Sequence, residues 1–329
     1  MKFGPVPVAE AAGHILAHSE ALPSGRLRKG TVLSPANLAS LEAAGLTEVV
    51  VARLEPGDVA EDDAAARLAR AMLPEPEASG LRIGKAATGR VNLHATQIGL
   101  VEVDAARIDA INAVHPMITV ATVRPWQSLP ERGMAATIKI ISYAVPGDAL
   151  EAACAAAPGA LILRPVTRSS AQLIETVIGD GAPQKGRRAV AGRLQRMGVP
   201  MLPDVAVPHD IAPLATAISQ SEAEVILILT GSATSDLYDT APEALRAAGG
   251  EVTHFGMPVD PGNLLFFGKL GERPVIGLPG CARSPALNGA DWVLERMLCG
   301  IEVSPREISA MGVGGLLKEP PSRPRPRES

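Results

Sequence analysis

Apolar and polar positions change rhythm about halfway along the chain. From about residue 170, short apolar runs alternate with segments of helical period. "QLIETVIG" reads as a strand. "KGRRAVAGRLQRMG" reads as a helix with Val190, Leu194 and Met197 on one face and arginines elsewhere. "HDIAPLATAISQ" reads as a helix capped by Asp210, and "EVILIL" as a buried strand. "TAPEALRAAGG" carries a Thr240–Glu243 capping box, Pro242 in its first turn and a Gly-Gly end. "EVTHF", "LLFFGKL" and "PVIGL" are then strands, and "SPALNGADWVLERML" is a last helix with Ser284 as its expected cap. Such alternation predicts an α/β fold with a mostly parallel sheet covered on both faces. Ligands of such sheets bind beyond the carboxyl ends of the strands.

The first half has a different texture. Ser34 and Pro35 form a cap and first-turn pair, Gly45 ends the short helix, and a β-branched strand runs from Glu48 to Ala52. The middle of "EPGDVAEDDAAARLARAMLPEPEASG" is helix-like, and its Pro/Glu/Ser end marks a boundary near residues 74 to 80. "RIGKAATGRVNLH", "QIGLVEVDA", "MITVATVRP" and "ATIKIISYAV" are strand-like runs, and "PGDALEAACAAAPG" gives one helix. The expected division is an N-terminal α+β segment (1–78), a strand-rich middle region (79–168), an α/β domain (169–303) and a Pro/Arg-rich tail or linker (304–329).

Composition narrows the function classes. Of 329 residues, 47% are hydrophobic but only 2% aromatic, so cores are aliphatic and stacking on bases is disfavoured. A net charge of −4 gives no footprint for duplex nucleic acid. Cys154, Cys281 and Cys299 lie far apart, and the six histidines show no ligand spacing, so no metal site is expected. The start "MKFGPVPVAE" lacks the pattern of a signal peptide, and no apolar run reaches the length of a membrane span. The expectation is a cytoplasmic protein that binds neither nucleic acid nor membrane.

Candidate chemistry sits where strands end. "LTGSATSDLYDTAPEAL" places Thr230, Gly231, Ser232, Thr234, Ser235, Asp236 and Asp239 between a buried strand and a helix. Glycine permits close backbone approach, hydroxyls suit phosphate oxygens, and the helix N-terminus adds partial positive charge. Asp236 and Asp239 would repel a bare phosphate, so a ligand with both an anion and N–H donors fits better. The alternative is an ordinary polar connection. "PGCARSPALNG", with Pro279, Gly280 and Ser284, is either a second wall of one pocket or a simple turn. "IGDGAPQKGRRA" ends a strand at Gly179 and Asp180 and brings Lys185, Arg187 and Arg188 as solvated charges or phosphate partners.

These stretches resemble a known family. "LTGSATSDLYDTAPEALRAAGGEV" is similar to the T-G-G-x-S-x-G-x-x-D segment of molybdopterin-binding domains such as MoeA, MogA and gephyrin. "PVDPGNLLFFGKLGERPVIGLPGCARS" is similar to the PGKP…FG…GLPGNPVS segment of the MoeA branch, and "IGDG" to its S-T-G-D-E strand end. "VPHDIAPLATAI" resembles its D-D-x-x-x-L helix start, and "GRLRKGTVLSPANLASLEAAGLTEVVV" another MoeA stretch. The overall arrangement resembles the unit that precedes a molybdopterin nucleotidyltransferase domain.

The resemblance implies a MogA-like three-layer α/β/α domain, preceded by a β-rich region, and molybdopterin as ligand. By position, Thr230, Gly231, Ser232, Thr234, Asp239 and Gly179 would bind it, with Pro279, Gly280 and Ser284 closing the pocket. Asp180 and Asp239 would be catalytic, with magnesium, if the chain acts as a molybdotransferase. A nucleotidyltransferase as partner and a homodimer are further implications. Departures also exist. The second Gly of T-G-G is Ser232 and the later Gly is Asp236, while Cys281–Ala282 replace N-P. Two lysines of K-P-G-K-P are Asp260 and Asn263, which weakens attraction for a dianion such as molybdate. Three functions stay open: a molybdopterin-binding protein that presents its ligand for a later maturation step, a molybdate-inserting transferase, and a non-catalytic scaffold.

Overall fold

The computed structural model describes residues 1–179 and 184–317. The chain divides into two compact units. One comprises residues 1–97 and 101–163, and the other residues 98–100 together with the chain from 164 onward.

The first unit contains two cores. Strands Lys2–Pro7, Ile15–Leu16 and Glu48–Arg53 form an antiparallel sheet with the last in the centre. Val6, Leu16, Leu33, Leu41, Val49 and Val51 bury against one another there. The helix Pro35–Ala43 begins as its sequence predicts: Ser34 caps it in a capping box with Asn37, and Pro35 is its first residue. The larger core lies on a four-stranded antiparallel sheet ordered Ile118–Thr122, Met134–Ile140, Arg90–Ala95, Leu81–Ile83. Helices Glu61–Met72, Ala105–Val114 and Gly147–Ala156 contribute Leu68, Met72, Ile111 and Leu150 to it.

The hydrophobic pattern assigns no element to residues 105–114. The helix forms there because Asp104 accepts the Arg107 N–H and because Ile108 and Ile111 find the larger core.

The second unit is built on a six-stranded sheet. Its order is Val205–Pro208, Ala171–Val177, Val225–Leu229, Arg273–Leu278, Phe266–Leu270, Glu251–Phe255. The first four run parallel, Phe266–Leu270 pairs antiparallel to the fourth, and Glu251–Phe255 pairs antiparallel to Phe266–Leu270. The sheet is thus parallel-rich with an antiparallel edge. That edge arises because only the two residues Gly271 and Glu272 join Phe266–Leu270 to Arg273–Leu278, too few for a parallel crossover. All five residues of Val225–Leu229 are buried, as an apolar run without alternation predicts for a strand covered on both sides. Phe266 faces Gly277 in register, and its ring fills the space that a Cβ at Gly277 would need.

Two caps differ from the sequence reading. The last long helix is Gly289–Leu298, capped by Asn288 in a box with Asp291, so Ser284 does not cap it. The helix Thr240–Ala247 is capped by Asp239, one residue before the expected Thr240. In both places several Ser, Thr, Asn or Asp side chains stand close together, and tertiary contacts select among them. Asp210 holds the cap position of Ile211–Gln220 without a capping bond from its side chain.

Pro305–Ala310 forms a short helix, and Asp260 bridges to Leu316. The stretch 318–329 lies outside the described residues. Among the described residues no helix is long and apolar enough to cross a membrane.

Candidate functional site

Three parallel neighbours, Ala171–Val177, Val225–Leu229 and Arg273–Leu278, end on the same edge of the sheet. The loops singled out in the sequence therefore open side by side. Gly179 is exposed, with a φ of +73°. Asp180 and the side chain of Lys185 lie outside the described residues.

The loop after Val225–Leu229 is held largely by its own polar groups. Thr230 and Thr234 are buried, with their hydroxyls 3.4 Å apart, and Thr230 donates to the Ser232 carbonyl. These two hydroxyls build the loop, whereas Ser232, Ser235 and Asp236 are exposed. Gly231 is required by close approach, because a Cβ there would lie 2.8 Å from the Thr176 carbonyl oxygen. Its N–H donates to Thr176 Oγ1 at 2.9 Å, and Thr176 Oγ1 lies 2.7 Å from Nδ1 of His209. His209, which follows the strand Val205–Pro208, thereby ties a third strand end to the same point.

Asp239 closes the loop. Oδ2 accepts the Ser235 N–H at 2.9 Å and Oδ1 accepts the Thr240 N–H at 2.6 Å. Burial opposes its ionisation, but these two N–H groups, together with His209 and the Thr240 side chain, hold its carboxyl below the usual range. Asp239→Ala is expected to cost about 1 kcal/mol through loss of the cap, read as a lowered midpoint in urea denaturation.

Beneath the loops lies a polar cluster that the sequence reading missed. Glu175 sits inside an apolar-looking strand and is fully buried. Arg187 Nη2 is 3.4 Å from its Oε2, and Arg283 Nη1 is 4.0 Å from its Oε1. Arg187 also pairs with Asp204. Burial pushes the Glu175 carboxyl up, while the two guanidiniums oppose that shift. Arg283 reaches across to donate to the Thr230 carbonyl at 2.6 Å, which fastens two of the loops together. Gly186 makes room for the cluster. A Cβ there would lie 2.5 Å from Leu229 and 3.0 Å from Arg283 Nη1.

A cavity of about 560 Å³ opens beside this cluster. Among the described residues its walls are Arg188, Ala189, Gly280, Cys281, Arg283, Ser284 and Pro285. Of the residues expected from sequence, Gly280 and Ser284 line it and Pro279 is buried at its base turn. Thr230, Gly231, Ser232, Thr234 and Asp239 stand on the neighbouring loop. Arg188 and Arg283 bring two positive charges to the walls. The buried amide of Asn288 donates to Cys281 Sγ at 3.0 Å.

The cavity loop is anchored from below by Arg193. This residue lies 3% exposed on the helix Gln184–Arg196 and pairs through Nε with Asp291. Its Nη1 donates to the Ala282 carbonyl at 2.8 Å, and its Nη2 to those of Ser284 at 2.9 Å and Ala286 at 3.1 Å. Helical periodicity places the arginines away from the core. Arg193 instead points inward, because the loop supplies carbonyls for its fork of donors. Among the described residues, no group of three or more His, Cys, Asp or Glu side chains could hold a metal ion.

Residues 5–53 match a family described as a domain of unknown function, DUF8806. No curated protein matches the chain. Among solved structures, the molybdopterin biosynthesis MoeA protein from Pyrococcus horikosii is similar at 15% identity and a TM-score of 0.31. That alignment covers 91% of this chain and 75% of the other. The molybdopterin biosynthesis enzyme MoaB from Thermus thermophilus aligns at 15% identity and a TM-score of 0.29, covering 40% of this chain and 96% of its own. A MogA structure aligns at 24% identity and a TM-score of 0.28, covering 39% and 92%.

Proposed function

We propose that the second unit binds molybdopterin, or its metal-loaded form, and presents it for a later maturation step by a nucleotidyltransferase. The observation that carries this reading is the cavity at the carboxyl edge of the parallel strands, with Arg188 and Arg283 in its walls. A volume of about 560 Å³ suits a small cofactor. Two guanidiniums offer charge-assisted donors to a terminal phosphate. The pterin class comes from the resemblance of the two loop segments to molybdopterin-binding domains.

Arg188 is exposed and free to meet the phosphate directly, whereas Arg283 is already spent in part on the Thr230 carbonyl. Arg188 therefore contacts the ligand, and Arg283 both contacts it and sets the relation of the two loops. Asp239 does not fit a magnesium site, since both of its oxygens accept backbone N–H groups. This favours ligand binding over magnesium-dependent insertion of molybdate at that residue.

The test is a titration of the full chain with a pterin phosphate ester, followed by pterin fluorescence. Arg188→Ala is expected to weaken binding roughly tenfold, the loss of one charge-assisted hydrogen bond. The dephosphorylated pterin is expected to bind wild type and variant alike. Equal affinity of wild type and Arg188→Ala for the phosphorylated compound would remove the phosphate from this cavity.

A further inference from the structure

A second hollow, of about 340 Å³, lies within the first unit. Lys29, Arg90 and Lys139 line it, with Glu61 as the carboxylate in its wall. Arg90 and Lys139 are register partners on antiparallel strands, so their side chains leave the sheet on the same face. Like charges placed directly opposite one another destabilise a sheet. Here that pair is joined by a third cation, Lys29, from the segment 5–53 that matches a domain of unknown function.

Local structure holds Lys139 and Arg90 in place. Lys139 donates to the Thr88 carbonyl and lies 3.6 Å from Glu61 Oε2. Arg90 Nη1 donates to Thr137 Oγ1 at 3.1 Å, and Thr137 in turn donates to Asn92 Oδ1 at 2.8 Å. The hairpin Ala87–Arg90 carries two consecutive left-handed residues, Thr88 at φ +50° and Gly89 at φ +68°. Only glycine fits the second position: a Cβ there would lie 2.5 Å from Glu61 Oε2 and 2.7 Å from the Ile140 carbonyl. Asp62 accepts the Gly89 N–H at 2.6 Å and lies outside the lining, so Glu61 is the carboxylate that faces the three cations there. Burial pushes the Glu61 carboxyl up, while Lys139 and Lys29 oppose that shift.

We propose that this hollow binds the phosphate group of a small phosphate monoester, held by Lys29, Arg90 and Lys139. The remaining N–H groups of the three cations supply the donors. Ser142 and Tyr143 also line the hollow, and because their hydroxyl protons are donated to the carbonyls of Ala144 and Ala17, these hydroxyls can serve the rest of the ester only as acceptors. The segment 5–53 thus acquires a part in ligand binding through Lys29. This site is separate from the cavity of the second unit and does not rest on the pterin reading.

Isothermal titration of the full chain at low ionic strength, with glycerol 3-phosphate and with inorganic phosphate, tests it. One binding event is expected to weaken at least about tenfold in Lys29→Ala/Arg90→Ala and to persist in Arg188→Ala. Phosphate is also expected to raise the thermal midpoint of wild type more than that of the double variant, because it relieves the Arg90–Lys139 repulsion. Tighter binding of the ester assigns the rest of the hollow to its organic part, and equal binding assigns recognition to the phosphate alone. Should the double variant fail to fold, Lys29→Glu carries the same expectation at an exposed position. No binding of either anion at millimolar concentration, or affinity unchanged in the folded variants, overturns the proposal.

Discussion

Arg193→Met is expected to destabilise the second unit by about 3–5 kcal/mol, the cost of breaking a buried ion pair from one side. Asp291, itself 2% exposed, would keep its charge without the guanidinium that neutralises it. Three carbonyls, those of Ala282, Ser284 and Ala286, would lose their donor at the same time. Methionine matches the length of the stem but offers no N–H groups. The effect should appear as a lower midpoint in guanidinium denaturation, with little change in slope. It should also loosen residues 279–286, so amide exchange in that loop should speed up even where the fold survives. A loss below about 1 kcal/mol would show that the pair is solvated and does not hold the loop.

Glu295→Gln is expected to stabilise the protein at pH 8 and to flatten its stability between about pH 4.5 and pH 7. Burial pushes the Glu295 carboxyl up from 4.5 to about 7, Asp291 adds to the shift, and Arg196 and Arg193 oppose it. Because the folded value lies above the unfolded one, the folded state holds the proton more tightly. The resulting stability is fully present below about pH 4.5 and is lost as pH rises through about 7. Across that window the loss amounts to about 3 kcal/mol at 1.36 kcal/mol per unit. Glutamine keeps the shape and carries no ionisable proton, so the variant should match wild type near pH 4.5 and exceed it at pH 8. Paired thermal melts across the range isolate this residue, since other titrating groups are common to both proteins. Parallel curves for the two proteins would place Glu295 in water.

Much of the architecture was legible in local pattern. The strand Val225–Leu229 announced itself as an apolar run, the helix Pro35–Ala43 by Ser34 and Pro35, and the strand-end loops by their Gly and hydroxyl content. Periodicity, caps and turn chemistry act within a few residues, so one sequence window contains the whole cause. The shared edge of the three loops followed from the parallel pairing of their strands, which the alternation of strand and helix already implied.

The choice among chemically similar side chains was not legible. Asn288 and not Ser284 caps a helix, and Arg193 turns inward while Arg188 stays at the cavity wall. Glu175 hides in a strand whose neighbours are aliphatic, and Arg90 meets Lys139 from 49 positions along the chain. Each depends on partners brought together only by folding: distant carbonyls, a facing strand, or a glycine that leaves room. The amino-acid order alone therefore determined most of the elements, though not the helix Ala105–Val114, and the strand-end position of the Gly- and hydroxyl-rich loops. Three-dimensional packing decided which charged groups are buried, paired or left facing a hollow, because desolvation and Coulomb energies depend on distances that no local window contains.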